Sequence, residues 1–406
     1  MAVGLLAEVI YHPIVGFHLG TTDAGIKTPG RRDLVVMQAQ AGSSMAGVFT
    51  TNAFCAAPVQ LCRRHLQDDS PLALVINTGN ANAGTGAAGD ADALAACREV
   101  AEALSLNTTQ VLPFSTGVIG EKLPIEKIVT SLPRAISQLA INGWQDAAWG
   151  ILTTDTRTKG ASVQIEHFGQ TISLTGISKG SGMIRPNMAT MLAFVATDVQ
   201  CSPTLTQDLL DQAVDQSFNR ITVDGDMSTN DSCMLIATGA SDLCLDEDSE
   251  LVAKFSKALT EIMQQLAHAI VRDGEGATKF ISVEVEGGAN SEECLQVAYA
   301  IAHSPLIKTA MFASDPNWGR ILNAVGYSGV PNLNVKTLTI HLGDLLLVDH
   351  GGCASSYTET EGQKVMDEDE ITIRVNLKRG DVKETVWTTD LSYDYVKINA
   401  DYRSWS

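Results

Sequence analysis

Three short segments hold the side chains best suited to acyl chemistry. In "RPNMATMLAF" (Arg185–Phe194), Thr190 follows a glycine-loosened loop, "SKGSGMI", and a φ-fixing proline, and it precedes an apolar run. Read locally, a threonine at such a loop-to-strand junction belongs to a tight turn feeding a core strand. In "STGVIG" (Ser115–Gly120), Thr116 and Gly117 follow the apolar "VLPF" and should lie just past a strand end. They offer a hydroxyl and a backbone N–H in one place, the two kinds of donor an oxyanion hole uses. The same residues could equally be a turn with a satisfied threonine. In "GEGATK", Glu275 stands between two glycines on what reads as a mobile loop, either solvated and idle or facing a ligand amine.

Other chemistries find little support. No GxSxG elbow, HExxH or CxxC occurs. The eight cysteines are scattered, which suits a reducing compartment such as the cytosol. His341 and His350 read as structural or solvent-facing rather than as metal ligands. A formal net charge of −19 argues against non-specific nucleic-acid binding. No apolar stretch approaches the ~20 residues that span a bilayer, and the first residues lack the basic start and cleavage site of a secretory leader.

With 45% hydrophobic and 18% charged residues, the chain is globular, and 406 residues exceed one ordinary core. Strands are expected at Asp33–Gln40, Leu72–Asn77, Phe280–Gly288 and the run after Thr190. Helical spacing marks Gly89–Leu104, with Asp90 as its cap, and also Leu205–Asn219, Glu250–Asp273 and Ser291–His303. The last ~70 residues read mostly as strands, including an alternating "DYVKI" before the polar tail "INADYRS". "NTGNANAGTGAAG" (Asn77–Gly89) reads as a loop that matches neither nucleotide-binding fingerprint. A soft boundary near 280–290 gives region 1–285, with a sub-domain around 200–275, and region 286–406.

Taken in order, "GIKTPGRRDL", "GVFTTNAFCAAPV", "NTGNANAGTG", "TTDT", "KGSGMIRPNMATML", "SFNRITVDGDMSTNDS", "DGEGATK", "DPNWGR" and "INADYRS" resemble one family along the whole chain. This is the ornithine acetyltransferase/glutamate N-acetyltransferase family of arginine biosynthesis. The resemblance implies a layered α/β sandwich with an N-terminal-nucleophile-type site and a smaller C-terminal α+β domain. It implies self-cleavage between Ala189 and Thr190 into chains 1–189 and 190–406, and a heterotetramer with two of each. Thr190 would then carry the acetyl group, with its freed α-amine as base.

By the same resemblance Thr116 and Gly117 form the oxyanion hole, Glu275 is catalytic, and Thr153, Lys179, Thr190, Glu275, Asn399 and Ser404 line the substrate site. Lys179 suits a substrate carboxylate. The implied substrates are N-acetylornithine and glutamate. No metal or held cofactor is implied, although acetyl-CoA could serve as a co-substrate, and the implied location is cytoplasmic. Gly84, where many relatives carry cysteine, and Met227 depart from the family pattern without touching this chemistry. Two rivals remain. One is an N-terminal-nucleophile aminopeptidase or amidase that passes the acyl group to water, which "DPNWGR" and "INADYRS" disfavour. The other is a silent amino-acid-binding protein, which the complete set of site residues disfavours.

Overall fold

The computed structural model describes residues 2–4, 8–27, 29–185 and 191–401. Ala189, Thr190 and Ser404 therefore lie outside the described residues. The chain divides into two compact units. Among the described residues, the larger takes those in 8–219 and 226–270, and the smaller those in 2–4, 220–225 and 271–401.

Two sheets build the larger unit. Phe17–Thr22, Leu34–Ala39, Ala73–Asn80 and Val111–Val118 lie side by side in that order, the first three antiparallel and the last pair parallel. The second sheet runs Ser44–Phe49, Ser232–Ala237, Leu192–Thr197, Gln170–Lys179 and Lys159–His167. "LVVM" at Leu34–Met37 does not alternate because both faces of its sheet are covered. Val35 and Met37 join Leu74, Ile76, Leu112 and Phe114 in a core shared with Phe194, Met234 and Ile236 of the other sheet. Leu34, Val36, Val75 and Val111 instead meet Ala93, Cys97, Val100, Ile128 and Leu132 on helices Gly86–Leu104 and Ile125–Ser137. Helix Pro203–Asp215 packs on strands Ser44–Phe49 and Ser232–Ala237. Helix Ser249–Arg272 meets the second sheet where Ser178 Oγ donates to the Leu266 carbonyl at 3.5 Å. The larger unit is thus a layered α/β sandwich with its strands between helices.

The smaller unit is α+β. Its sheet order is Gly352–Cys353, Leu345–Asp349, Thr339–Leu342, Glu370–Asn376, Phe280–Gly288 and Val382–Thr389. Alternation along Glu370–Asn376 buries Ile371, Ile373 and Val375 in a core with Val297, Ile301 and Ile321 of helices Ser291–Ala302 and Trp318–Gly326. Residues 285 and 286, where the sequence reading divides the chain, lie within strand Phe280–Gly288 of this unit. No helix of the described residues is long and apolar enough to cross a membrane.

Several local expectations are corrected. "DYVKI" belongs to helix Tyr393–Ala400, because Ser392 caps it by accepting the Tyr395 N–H at 3.3 Å. Five alternating residues are too few to outweigh that cap. Asp90 lies inside helix Gly86–Leu104, which begins earlier, next to Thr85. Gly89 permits this start, since a Cβ there would sit 1.9 Å from Thr85 Oγ1 and 2.4 Å from Asn82 Oδ1. Part of the expected "NTGNANAGTGAAG" loop is regular structure, because strand Ala73–Asn80 runs through its first four residues and the helix takes its last four.

The intersheet core depends on large aromatic contacts. Phe114 is 2% exposed and meets Phe194 edge-on at 5.1 Å between ring centroids. Phe114→Ala is expected to cost about 3–5 kcal/mol, measured by denaturant unfolding. A loss below about 1 kcal/mol would show that the two sheets do not depend on this contact.

Candidate active site

Thr116 and Gly117 lie within strand Val111–Val118, not beyond its end as expected from sequence. The parallel pairing with Ala73–Asn80 continues to Val118 but shifts register at Gly79 and Asn80. Such a bulge re-aims the backbone where pairing breaks. Gly117 has φ +135°, and a Cβ added there would lie 2.3 Å from the Gly79 carbonyl carbon and 2.5 Å from the Asn80 nitrogen. Glycine is required there both by conformation and by the closeness of the neighbouring strand. Thr116 is 4% exposed.

Lys179 ends strand Gln170–Lys179 and is buried. Its Nζ donates to Thr116 Oγ1 at 3.0 Å. A hydroxyl that accepts from an ammonium keeps its own proton for another acceptor, and is polarised toward giving it. That is the behaviour an oxyanion donor needs.

The charge of Lys179 is balanced from below the strand end. Asp155 Oδ1 accepts from Lys159 Nζ at 2.5 Å and from the Gly180 N–H at 2.7 Å, and Oδ2 accepts from the Thr153 N–H at 3.0 Å. Gly180 has φ +148°, a conformation that favours glycine and lets its N–H reach the carboxylate. Burial alone would raise the Asp155 carboxyl. The Lys159 and Lys179 charges outweigh burial and hold it below the usual carboxylate range. Two ammonium groups thus flank one buried carboxylate at this strand end.

Thr153 is half-buried, and its carbonyl accepts from Arg31 Nη2 at 3.0 Å. Thr153 and Gly117 line one small pocket of about 20 Å³ with Lys27, Arg31, Thr78 and Gly79. The larger unit therefore gathers four expected residues: Thr116, Gly117, Thr153 and Lys179.

The smaller unit gathers two. Asn399 Nδ2 donates to Glu275 Oε2 at 2.9 Å. Glu275 is 9% exposed, so it is not solvated, and its loop is not loose. Its loop is pinned at several points. Ser392 Oγ donates to the Gly276 carbonyl at 2.6 Å, and Asp390 accepts from the Thr278 and Lys279 N–H groups at 2.8 and 2.9 Å. Gly276 has φ +69°, and a Cβ there would stand 2.5 Å from the Tyr395 nitrogen. Lys308, buried nearby in the chain's packing, donates to Thr388 Oγ1 at 3.0 Å and Thr389 Oγ1 at 3.2 Å. Burial pushes it down to about 8, against the opposing charges of Asp390 and Asp224.

Asp155, Lys159, Lys27, Arg31 and Lys308 carry no role in the sequence reading. The available signal was positional: Asp155 lies inside "TTDT", and Lys27 and Arg31 inside "GIKTPGRRDL".

Asp155 links site charge to stability. Its carboxyl is depressed in the folded state, so its contribution is complete above the unfolded value near 4 and is lost as the pH falls toward the folded value. Asp155→Asn should therefore lower the melting temperature at pH 7, at a cost of about 3–5 kcal/mol for removing this carboxylate from a buried cation. The gap to wild type should narrow below about pH 4. A gap that widens in acid would contradict this charge assignment.

Comparison with known proteins agrees with the segments quoted above. The ArgJ family model matches residues 18–404. The chain is 56% identical over its whole length, and over the whole relative, to the arginine biosynthesis bifunctional protein ArgJ of Pseudomonas fluorescens (strain Pf0-1). It is equally 56% identical, over the full length of both chains, to that of Pseudomonas syringae pv. tomato. Among solved structures, an arginine biosynthesis bifunctional protein ArgJ from Bacillus halodurans is 42% identical over 52% of this chain and 98% of its own, with TM-score 0.49. An ornithine acetyltransferase from Mycobacterium tuberculosis, solved with ornithine, is 35% identical over 43% of this chain and 92% of its own, with TM-score 0.40. With a family match across nearly all its residues and full-length relatives at this identity, the chain belongs to the ArgJ family.

Proposed function

We propose that this protein is a self-cleaving acetyltransferase of arginine biosynthesis that moves the acetyl group of N-acetylornithine to glutamate through an ester on Thr190. The observation that carries this reading is the 3.0 Å bond from Lys179 to Thr116 beside the Gly117 bulge. It joins a polarised hydroxyl and a buried cation beside a break in strand register at Gly117.

The Thr190 hydroxyl attacks the acetyl carbonyl, and its proton passes to the α-amine of the same residue. Thr116 and the Gly117 N–H stabilise the tetrahedral oxyanion. The amide C–N bond breaks, ornithine leaves as an amine with the transferred proton, and the acetyl ester remains. The glutamate α-amine then attacks the ester, the C–O bond breaks, and the threonine hydroxyl is restored. Lys179 takes the role the family resemblance gives it, facing the carboxylate both amino acids share. Glu275, Asn399, Thr153 and Ser404 take the substrate-contact roles the family resemblance assigns them. Because threonine carries the acetyl group, this cycle needs no metal or organic carrier. Acetyl-CoA as a second acetyl donor to glutamate is part of the same proposal, carried by the family resemblance alone. Two copies each of chains 1–189 and 190–406 are the proposed assembly, in the cytoplasm.

Self-cleavage tests the reading first. The purified protein should separate into chains 1–189 and 190–406, and sequencing of the second should begin at Thr190. Thr190→Ala should stay one chain, because alanine has no hydroxyl to attack the preceding carbonyl. Cleavage at any other bond, or in the alanine variant, would remove Thr190 from this role.

A further inference from the structure

Thr116 and Gly117 stand at a break in strand register, and buried asparagines surround that break. Asn80 marks the place, since this one residue pairs with both Thr116 and Val118. Asn77, on the same strand, donates through Nδ2 to the Asn80 carbonyl at 2.9 Å. Its Oδ1 accepts from Ser115 Oγ, on the neighbouring strand, at 2.6 Å. Asn230, just before strand Ser232–Ala237, donates through Nδ2 to the Ala81 carbonyl at 2.6 Å and to the Ser115 carbonyl at 2.9 Å. Asn77, Asn80, Ser115 and Asn230 are all buried.

A buried amide is tolerated only when its hydrogen bonds are made. Elsewhere these strands are held by apolar side chains, which need no such matching. What directional bonds add is a fixed geometry. Asn77 and Asn230 each join the two sides of the break, the first through the Ser115 side chain and the second through its main chain. Ser115 is bonded directly to Thr116. Its carbonyl lies in the peptide plane that ends at the Thr116 Cα, so fixing that oxygen fixes the plane from which the Thr116 side chain departs. The Thr116 hydroxyl is then met by Lys179 Nζ at 3.0 Å.

We propose that Asn77 and Asn230 are positioning residues for the acetyl transfer, which clamp the register break from two sides and so set where the Thr116 hydroxyl stands as an oxyanion donor. Neither needs to touch the substrate. This rests on the reading of Thr116 as that donor. Such a donor acts on charge that develops in the transition state, so a slackened clamp lowers kcat and leaves KM nearly unchanged.

The test measures kcat and KM with N-acetylornithine and glutamate, together with melting temperature, for the full-length protein carrying Asn230→Leu, Ser115→Ala or Ser115→Thr, each with Thr116 intact and with Thr116→Ala. Asn230→Leu keeps the size of the side chain and removes both donated bonds. Ser115→Ala removes the bond to Asn77. Ser115→Thr keeps the hydroxyl, and a cavity of about 10 Å³ borders Ser115 and Asn77 where the extra methyl would go. A misplacement of about 1 Å can cost about 10²-fold, so Asn230→Leu should lower kcat about 10- to 100-fold with KM within about 2-fold of wild type. Ser115→Ala should lower kcat by about 5-fold or more, and Ser115→Thr should stay within about 3-fold of wild type. In the Thr116→Ala background the Asn230→Leu loss should shrink below about 3-fold, because no hydroxyl remains to be placed. If Asn230→Leu does not fold, Ser115→Ala in the two backgrounds decides by the same comparison. Equal losses in both backgrounds would overturn the clamp, since a merely structural role lowers activity whether or not Thr116 is present. So would a folded Leu variant with wild-type kcat, a loss expressed in KM alone, or a Thr variant as slow as Ala. A wild type that transfers no acetyl group, or a Thr116→Ala enzyme with near-normal kcat, would instead overturn the reading of the site on which the clamp rests.

Discussion

The bond from the buried Lys179 ammonium to the Thr116 hydroxyl is the constraint around which the larger unit's site is arranged. A cation taken out of water needs both acceptors and a counter-charge. Thr116 supplies an acceptor. Asp155 supplies the charge, and is itself held by Lys159 and by the N–H groups of Thr153 and Gly180. Each partner explains a local feature of the chain. Gly180 is glycine because its φ of +148° presents its N–H to Asp155. Gly117 is glycine because the neighbouring strand leaves no room for a Cβ.

The sandwich makes this arrangement affordable by confining polar chemistry to strand ends. Along Leu34–Met37, Leu74–Ile76 and Val111–Phe114 both faces of the sheet are apolar and covered. Beyond Phe114 the same strand becomes Ser115, Thr116 and Gly117, and the bulge begins. Gln170–Lys179 follows the same pattern, with Leu174 and Ile177 buried before Lys179 closes the strand. Asn230 and Asp231 sit just before a third strand and bond both neighbours. In the smaller unit, Glu275 and Asn399 meet through a loop fixed by Asp390 and Ser392.

Much of this was legible in the sequence, for identifiable reasons. Long apolar periods such as Glu250–Asp273 fixed the helix Ser249–Arg272 almost to the residue. Thr116, Gly117, Thr153 and Lys179 were marked through motif order, and the structure brings them together. What stayed hidden depended on tertiary partners. The end of strand Val111–Val118 could not be placed because Thr116 and Gly117 look like a turn until Gly79 and Asn80 pair with them. Glu275 looked loose because its glycines imply freedom, whereas Gly276 is there to let Tyr395 and Ser392 approach. Asp155 is an acid in a polar stretch, and only the burial of its side chain beside lysines gives it a task.

The central claim is that one hydroxyl, that of Thr190, carries the acetyl group between two amino acids. The most direct measurement is mass spectrometry of the peptide beginning at Thr190 after incubation with N-acetylornithine and no glutamate. That peptide should gain the mass of one acetyl group, and lose it when glutamate is added, with N-acetylglutamate appearing in step. An unmodified Thr190 peptide from enzyme that still forms N-acetylglutamate when both substrates are present would contradict it, because transfer would then be direct.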